Sequence, residues 1–211
     1  DTNKGYISEG LYKALQSSTD YVLAERHAGA DGARTLNEAV DKALSQGKKL
    51  FGLFGSKDGN FELPIPQNSP GSPKLTRETS EDLSLKDAAL AALRVLGRNP
   101  GGFFLVAEQG DIDWANHDND FRGLVGAVSD LEDAVRAAVA FVDEPGDDID
   151  WTNTVMLVTA DHGTGGLRLN PEKPLRAGQL PLQIARAKEA EEPAAMPANG
   201  NGRHPVPALP A

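Results

Sequence analysis

Two short clusters hold the residues best equipped for chemistry. The first is Glu108-Gln109-Gly110-Asp111-Ile112-Asp113-Trp114-Ala115-Asn116-His117, and the second is Thr159-Ala160-Asp161-His162-Gly163-Thr164-Gly165-Gly166. Each pairs a carboxylate with an imidazole. Asp113 and His117 are four apart, which on a helical turn puts both on one face. Asp161 and His162 are adjacent, and neighbours on a regular strand point to opposite faces, so a turn at Gly163 is needed for both to approach one cation. Carboxylate oxygen and imidazole nitrogen are the donors that zinc accepts when thiolates are lacking, and the chain has no cysteine. Alone, each piece has an ordinary reading: a solvated Asp-x-x-x-His pair on a surface helix, a loop Asp-His, a carboxylate at Glu108 facing water. Together they point to a metal site. Three of the four histidines, His117, His162 and His204, fall near or beyond the two clusters.

Both clusters follow apolar runs. Phe103–Ala107 leads into Glu108, and Thr154–Thr159 leads into Asp161; each reads as a strand covered on both faces. Ligands in open α/β sheets bind outside the carboxyl ends of strands, where both clusters would then lie. Leu50–Phe54 is a third such run. Amphipathic helices are expected between the runs. Thr35-Leu36-Asn37-Glu38 has capping-box spacing ahead of Leu36, Ala39, Val40, Ala43 and Leu44, with Gly47 as the stop. Ser84–Asp87 opens a helix with Leu85, Ala88, Ala89, Ala92, Leu93 and Leu96 on one face, broken at Asn99-Pro100-Gly101-Gly102. Leu124, Val128, Leu131, Val135, Val139 and Val142 mark a long helix that ends at Pro145-Gly146. The expected fold class is α/β, with a mostly parallel sheet flanked by helices and the three runs in one sheet. Gly55 to about Arg77 reads as a long surface loop. The α/β portion is expected over 1–170. The segment 171–211, which holds eight of the 14 prolines, is expected to be irregular.

With 31 acidic and 21 basic residues the net charge is -10, so nucleic acid and anionic lipid surfaces are unsuitable partners. A phosphate substrate would be repelled too, unless bound metal neutralises the acids locally. No apolar run approaches the roughly 18 residues of a membrane span, and Asp1–Gly5 has no hydrophobic signal core.

The run from Gly102 to Glu108, then Ile112-Asp113-Trp114 and His117-Asp118-Asn119-Asp120, resembles the alkaline phosphatase signature around its metal ligands. Val158–His162 with Thr164-Gly165-Gly166 resembles the family's second signature, and Asp130 to Val135 fits the helix between them. The likeness covers roughly residues 35 to 170. It implies an incomplete alkaline-phosphatase-like fold in which Glu108 is a magnesium ligand, Asp113 and His117 bind the first of two zincs, and Asp161 and His162 bind the second. His204, 42 residues after His162, suits the family's further zinc histidine, although Arg203-His204-Pro205 departs from the usual His-Thr-Gly. Trp114 would lie near the phosphate, or else simply pack. The resemblance implies hydrolysis of small phosphate monoesters through a phosphoserine, by a secreted or periplasmic homodimer. The family's serine sits in an Asp-Ser-Ala-type motif, which these 211 residues do not contain, and no phosphate-binding arginine is found. No catalytic nucleophile is therefore assigned here. The chain is expected to be the C-terminal, metal-binding portion of a longer enzyme, and inactive alone. The alternatives are another metallohydrolase of the same superfamily (a phosphodiesterase or a metal-dependent phosphoglycerate mutase), a non-catalytic metal-binding module, and an acidic structural domain with no site.

Overall fold

A computed structural model describes residues 7–55, 79–118 and 120–164, with the side chain of Arg122 excepted. The elements run α1 (Glu9–Gln16), β1 (Tyr21–Glu25), α2 (Gly32–Gln46), β2 (Lys49–Leu53), α3 (Leu85–Leu96), α4 (Asp111–His117) and α5 (Phe121–Val142). The fold class is α/β, as expected. β1 and β2 pair in parallel, from Tyr21 opposite Lys49 to Glu25 opposite Leu53. Parallel neighbours need a crossover of a dozen or more residues, and α2 supplies it.

The core follows from this β-α-β unit. Strand alternation turns Val22 and Ala24 inward, where they meet Leu36, Ala39, Val40 and Ala43 of α2 and Ala91 of α3. Leu44, Leu50, Phe54, Leu83 and Val95 pack around this group. The strand at Leu50–Phe54 is therefore present as β2, one residue earlier than read. α1 and β1 were not singled out in the sequence, although Ser8 caps α1 by accepting the Leu11 amide proton.

Helix starts show how caps compete. α2 begins before Thr35, because the Asp31 carboxylate accepts the Arg34 amide proton at 2.8 Å and is the cap. Thr35 lies inside the helix, and its hydroxyl donates to the Asp31 carbonyl. Gly32 at the first position is required: a Cβ there would sit 2.1 Å from the Glu81 carbonyl oxygen. Gly47 ends α2 in the left-handed region at φ 64°, as the sequence suggested. Ser84 and Asp87 form the expected capping box at the start of α3. On α3, Ala91 is buried with Ala89 and Leu93, while Ala88 is exposed, so the buried face is rotated from the one expected. α5 starts at Phe121, and Val128 faces solvent where Ala127, Asp130 and Ala134 face inward.

The other two apolar runs correct the sequence reading. Neither Phe103–Ala107 nor Thr154–Thr159 is in a strand, and neither joins the sheet, which has two strands among the described residues. Phe104 is 87% exposed, Val155 85% and Leu157 85%. A strand exists by pairing, and no described segment offers these runs a hydrogen-bonded neighbour. The loop expected at Gly55–Arg77 falls almost wholly outside the described residues, as does the segment 171–211 with His204.

Candidate functional site

The first cluster is organised by α4, a helix of seven residues. A helix this short is marginal alone, and its cap residue, Gly110, offers no side chain. Neighbours hold it instead. Ala115 is buried against α5, where Gly123 lets the two helices approach: a Cβ on Gly123 would lie 3.5 Å from that of Ala115 and 2.5 Å from an Asp120 carboxylate oxygen. The Asp120 amide donates to the Ala115 carbonyl at 2.8 Å and closes the corner into α5. At the other end, the Gln109 side-chain oxygen accepts the Asp111 amide proton at 3.2 Å, in place of a cap.

On this helix Asp113 faces His117, with Oδ2 3.5 Å from the imidazole Nε2. The other carboxylate oxygen turns to the second cluster. Thr164 Oγ1 donates to Asp113 Oδ1 at 2.5 Å across 51 residues of sequence, and His162 Nδ1 is 4.0 Å from the same oxygen. Asp161 lies 3.3 Å from His162 Nε2 and has its side chain 84% exposed. The structure thus brings Asp113, His117, His162 and Thr164 together, with Asp161 attached through His162. Both imidazoles are more than half exposed, so they can turn toward an incoming ligand. Among the described residues no three His, Asp or Glu side chains are already arranged to hold one metal ion. Glu108 is exposed, and Trp114 is half-buried.

Two further residues, Thr164 and Asp130, contribute to the arrangement. Thr164 stands in the sequence as part of a glycine-rich turn. Asp130 is 1% exposed on α5. It accepts the Leu85 amide proton at 2.9 and 3.2 Å and a Gln109 side-chain proton at 2.6 Å. Burial is the main cause pushing its carboxyl above the usual carboxylate range, aided by Asp133 and Asp87 and opposed by the Leu85 and Gln109 hydrogen bonds. Its role shows only in the structure, where a buried carboxylate in mid-helix needs partners.

The sequence pattern of the family described as Alkaline phosphatase matches residues 19–202. The chain belongs to the alkaline phosphatase family. It is 37% identical to Alkaline phosphatase 3 of Bacillus subtilis (strain 168) over 155 residues, which is 74% of this chain and 29% of that protein. It is 40% identical over 141 residues to Alkaline phosphatase 4 of the same organism, covering 66% of this chain and 26% of the relative. With the alkaline phosphatase of Escherichia coli (strain K12) it shares 29% identity over 161 residues, 66% of this chain and 30% of that one. The chain therefore spans less than a third of the length of these relatives. Both clusters described above lie within the family match.

Proposed function

We propose that the protein to which this chain belongs hydrolyses phosphate monoesters at a site with two zinc ions and one magnesium ion. The observation that carries this reading is the carboxylate of Asp113 set between His117 and His162, donors from two distant parts of the sequence. The donor types fit zinc. Tetrahedral zinc with bonds of ~2.0–2.1 Å places its ligand atoms roughly 3.3–3.5 Å apart, close to the 3.5 Å between Asp113 and His117 and the 3.3 Å between His162 and Asp161. Asp113 and His117 would hold one zinc, Asp161 and His162 the other, and Glu108 the magnesium. His204 is kept as a further zinc ligand on sequence grounds.

When bound, the metals supply Lewis acidity to the attacking and leaving oxygens and offset the acidic field against an incoming phosphate. The chain's own groups do the positioning. Thr164 occupies one lone pair of Asp113 and fixes the carboxylate plane, while α4 sets the spacing of Asp113 and His117. Trp114, next to Asp113 and half-buried, would border the phosphate. The nucleophile in this reading is a serine outside these 211 residues, forming a phosphoserine that water then hydrolyses. The family also supports an active homodimer in a secreted or periplasmic setting. Among the described residues no helix is long and apolar enough to cross a membrane.

The second reading is a metal-binding module without catalysis. The test is metal content and turnover of an aryl phosphate by the whole protein, before and after chelation. Retained zinc, and activity lost on chelation and restored by zinc, are expected. Zinc without turnover selects the second reading, and a protein that retains no zinc overturns both.

A further inference from the structure

α4 presents two of the proposed metal donors, yet it is too short to hold itself and has no cap of its own. What anchors its leading end can be followed atom by atom. The Asp111 amide, in the first turn of α4, donates to Gln109 Oε1 at 3.2 Å. Gln109 Nε2 donates to Asp130 Oδ2 at 2.6 Å. Asp130 also receives the Leu85 amide proton, one of the orphan donors at the start of α3. A single buried carboxylate on α5 therefore ties together the start of α3, the link that follows Glu108 and the start of α4. The bond polarities leave one arrangement. Ionised, Asp130 can only accept, so Gln109 turns its NH2 toward it, which leaves its oxygen for the Asp111 amide.

The geometry points to Asp130 as a positioning residue that, through Gln109, fixes the helix carrying Asp113 and His117 and the backbone beside Glu108. This inference rests on the metal-site reading for its consequence, but the anchor itself does not. An ionised acceptor makes the Gln109 link stronger than a neutral one would. The link is buried on the Asp130 side, where a lost partner is not replaced by water at no cost. Two of the three segments it joins flank the proposed donors directly. Outer partners of this kind typically change metal affinity roughly 10–100-fold when removed.

The experiment uses the whole protein, stripped of metal, as wild type and as Gln109→Leu, Asp130→Ala, Asp130→Asn and the Gln109→Leu/Asp130→Ala double variant. Gln109→Leu leaves the Asp130–Leu85 bond intact, so it decides the matter if Asp130→Ala does not fold. Amide hydrogen exchange is measured without metal, and zinc and magnesium affinities by calorimetry. The expected result is faster exchange across Ile112–His117 in Gln109→Leu, with α2 and β1 unchanged. Zinc and magnesium affinity should fall roughly 10–100-fold in Gln109→Leu and Asp130→Ala. The double variant should be no worse than the weaker single, because both act in one chain of bonds. Asp130→Asn, which keeps an acceptor oxygen, should recover most of the affinity. If Gln109→Leu exchanges and binds metal like the wild type, the inference is wrong. Lower stability in Asp130→Ala with unchanged metal affinity would reduce Asp130 to a structural residue and overturn the proposal as well. A wild type that binds neither metal defeats the functional reading instead, and the exchange data then judge the anchor alone.

Discussion

Thr164→Val is the substitution that best isolates the joint between the two clusters. It keeps the side-chain shape and removes the hydroxyl that donates to Asp113 Oδ1 at 2.5 Å. A hydrogen bond to a charged acceptor contributes about 1.5–3 kcal/mol where water is excluded. The Asp113 side chain is 33% exposed, so water recovers part of that, and about 1 kcal/mol is the expected loss in the metal-free chain. For a chain of this size, that lowers the melting temperature by roughly 2–4 °C. The larger effect should appear with metal. Without the threonine, the carboxylate must be ordered when the cation arrives. The expected cost is roughly 10–100-fold in zinc affinity, the range seen when a ligand loses an outer partner. Calorimetric titration with zinc, beside a thermal melt without it, reads both quantities. Thr164→Ser restores the donor and should recover most of the affinity. Equal zinc affinity in the Val variant, the Ser variant and the wild type would refute the idea that this hydroxyl organises the site.

Three further outcomes are expected. In the whole protein, Asp113→Ala or His162→Ala should remove most activity together with about one zinc per chain, and Glu108→Ala should do less and be eased by excess magnesium; metal content and aryl phosphate turnover check both. The 211-residue chain alone should not turn over an aryl phosphate even when loaded with metal, since it contains no serine in the required context; robust turnover would overturn that reasoning. Chemical denaturation across pH should show two opposing trends. The Glu81 carboxyl is held below its ordinary value, first by the Gly29 amide and then by Arg26, so its stabilisation is present above the usual carboxylate range and is lost as pH falls through its folded pKa. Asp130 is raised, chiefly by burial. The native state therefore binds the proton more tightly than the unfolded chain, and stability from this group declines as pH rises from the usual carboxylate value to the raised one. Glu81→Gln should flatten the first trend and Asp130→Asn the second.

The sequence revealed the fold where local signals and core contacts agree. Ser84 and Asp87, three apart, form the capping box their types suggest. Gly47 takes the positive φ that only glycine adopts freely. Thr35 and Glu38 misled because the same residue types recur nearby. Asp31 is as good a cap, and it lies where Gly32 lets the helix start pack against Glu81. The runs at Phe103 and Val155 misled for a different reason. Hydrophobicity states that a segment should be covered; it does not state what covers it, and pairing is a property of the neighbour as much as of the strand. The class could be read correctly, and the β-α-β unit accounts for it, while the extent of the sheet could not.

The site divides in the same way. The spacing of Asp113 and His117 needed only the period of a helix, and the structure sets them 3.5 Å apart on α4. What sequence spacing could not supply was the meeting of that pair with His162 and Thr164. That meeting depends on where Thr154–Thr159 and the chain beyond it pass relative to α4. Periodicity also says nothing about Asp130, which looks like one more acid on an acidic helix surface until its burial is known. The difference matters for how such a site should be altered. Replacing a donor removes a ligand, whereas Thr164 reaches Asp113 through a hydrogen bond and Gln109 and Asp130 act on the start of the helix that carries Asp113 and His117. Changes at these three should shift metal affinity in graded steps, with the chain of bonds from α5 acting on the Asp111 amide and the bond from Thr164 on the Asp113 carboxylate. Because the Asp111 amide and the Asp113 carboxylate lie in the same first turn of α4, the effects of Gln109→Leu and Thr164→Val on zinc affinity should depart from additivity by about 0.5–3 kcal/mol, and strict additivity would refute this. Strong coupling between them would mean that α4 moves as one body when either support is lost.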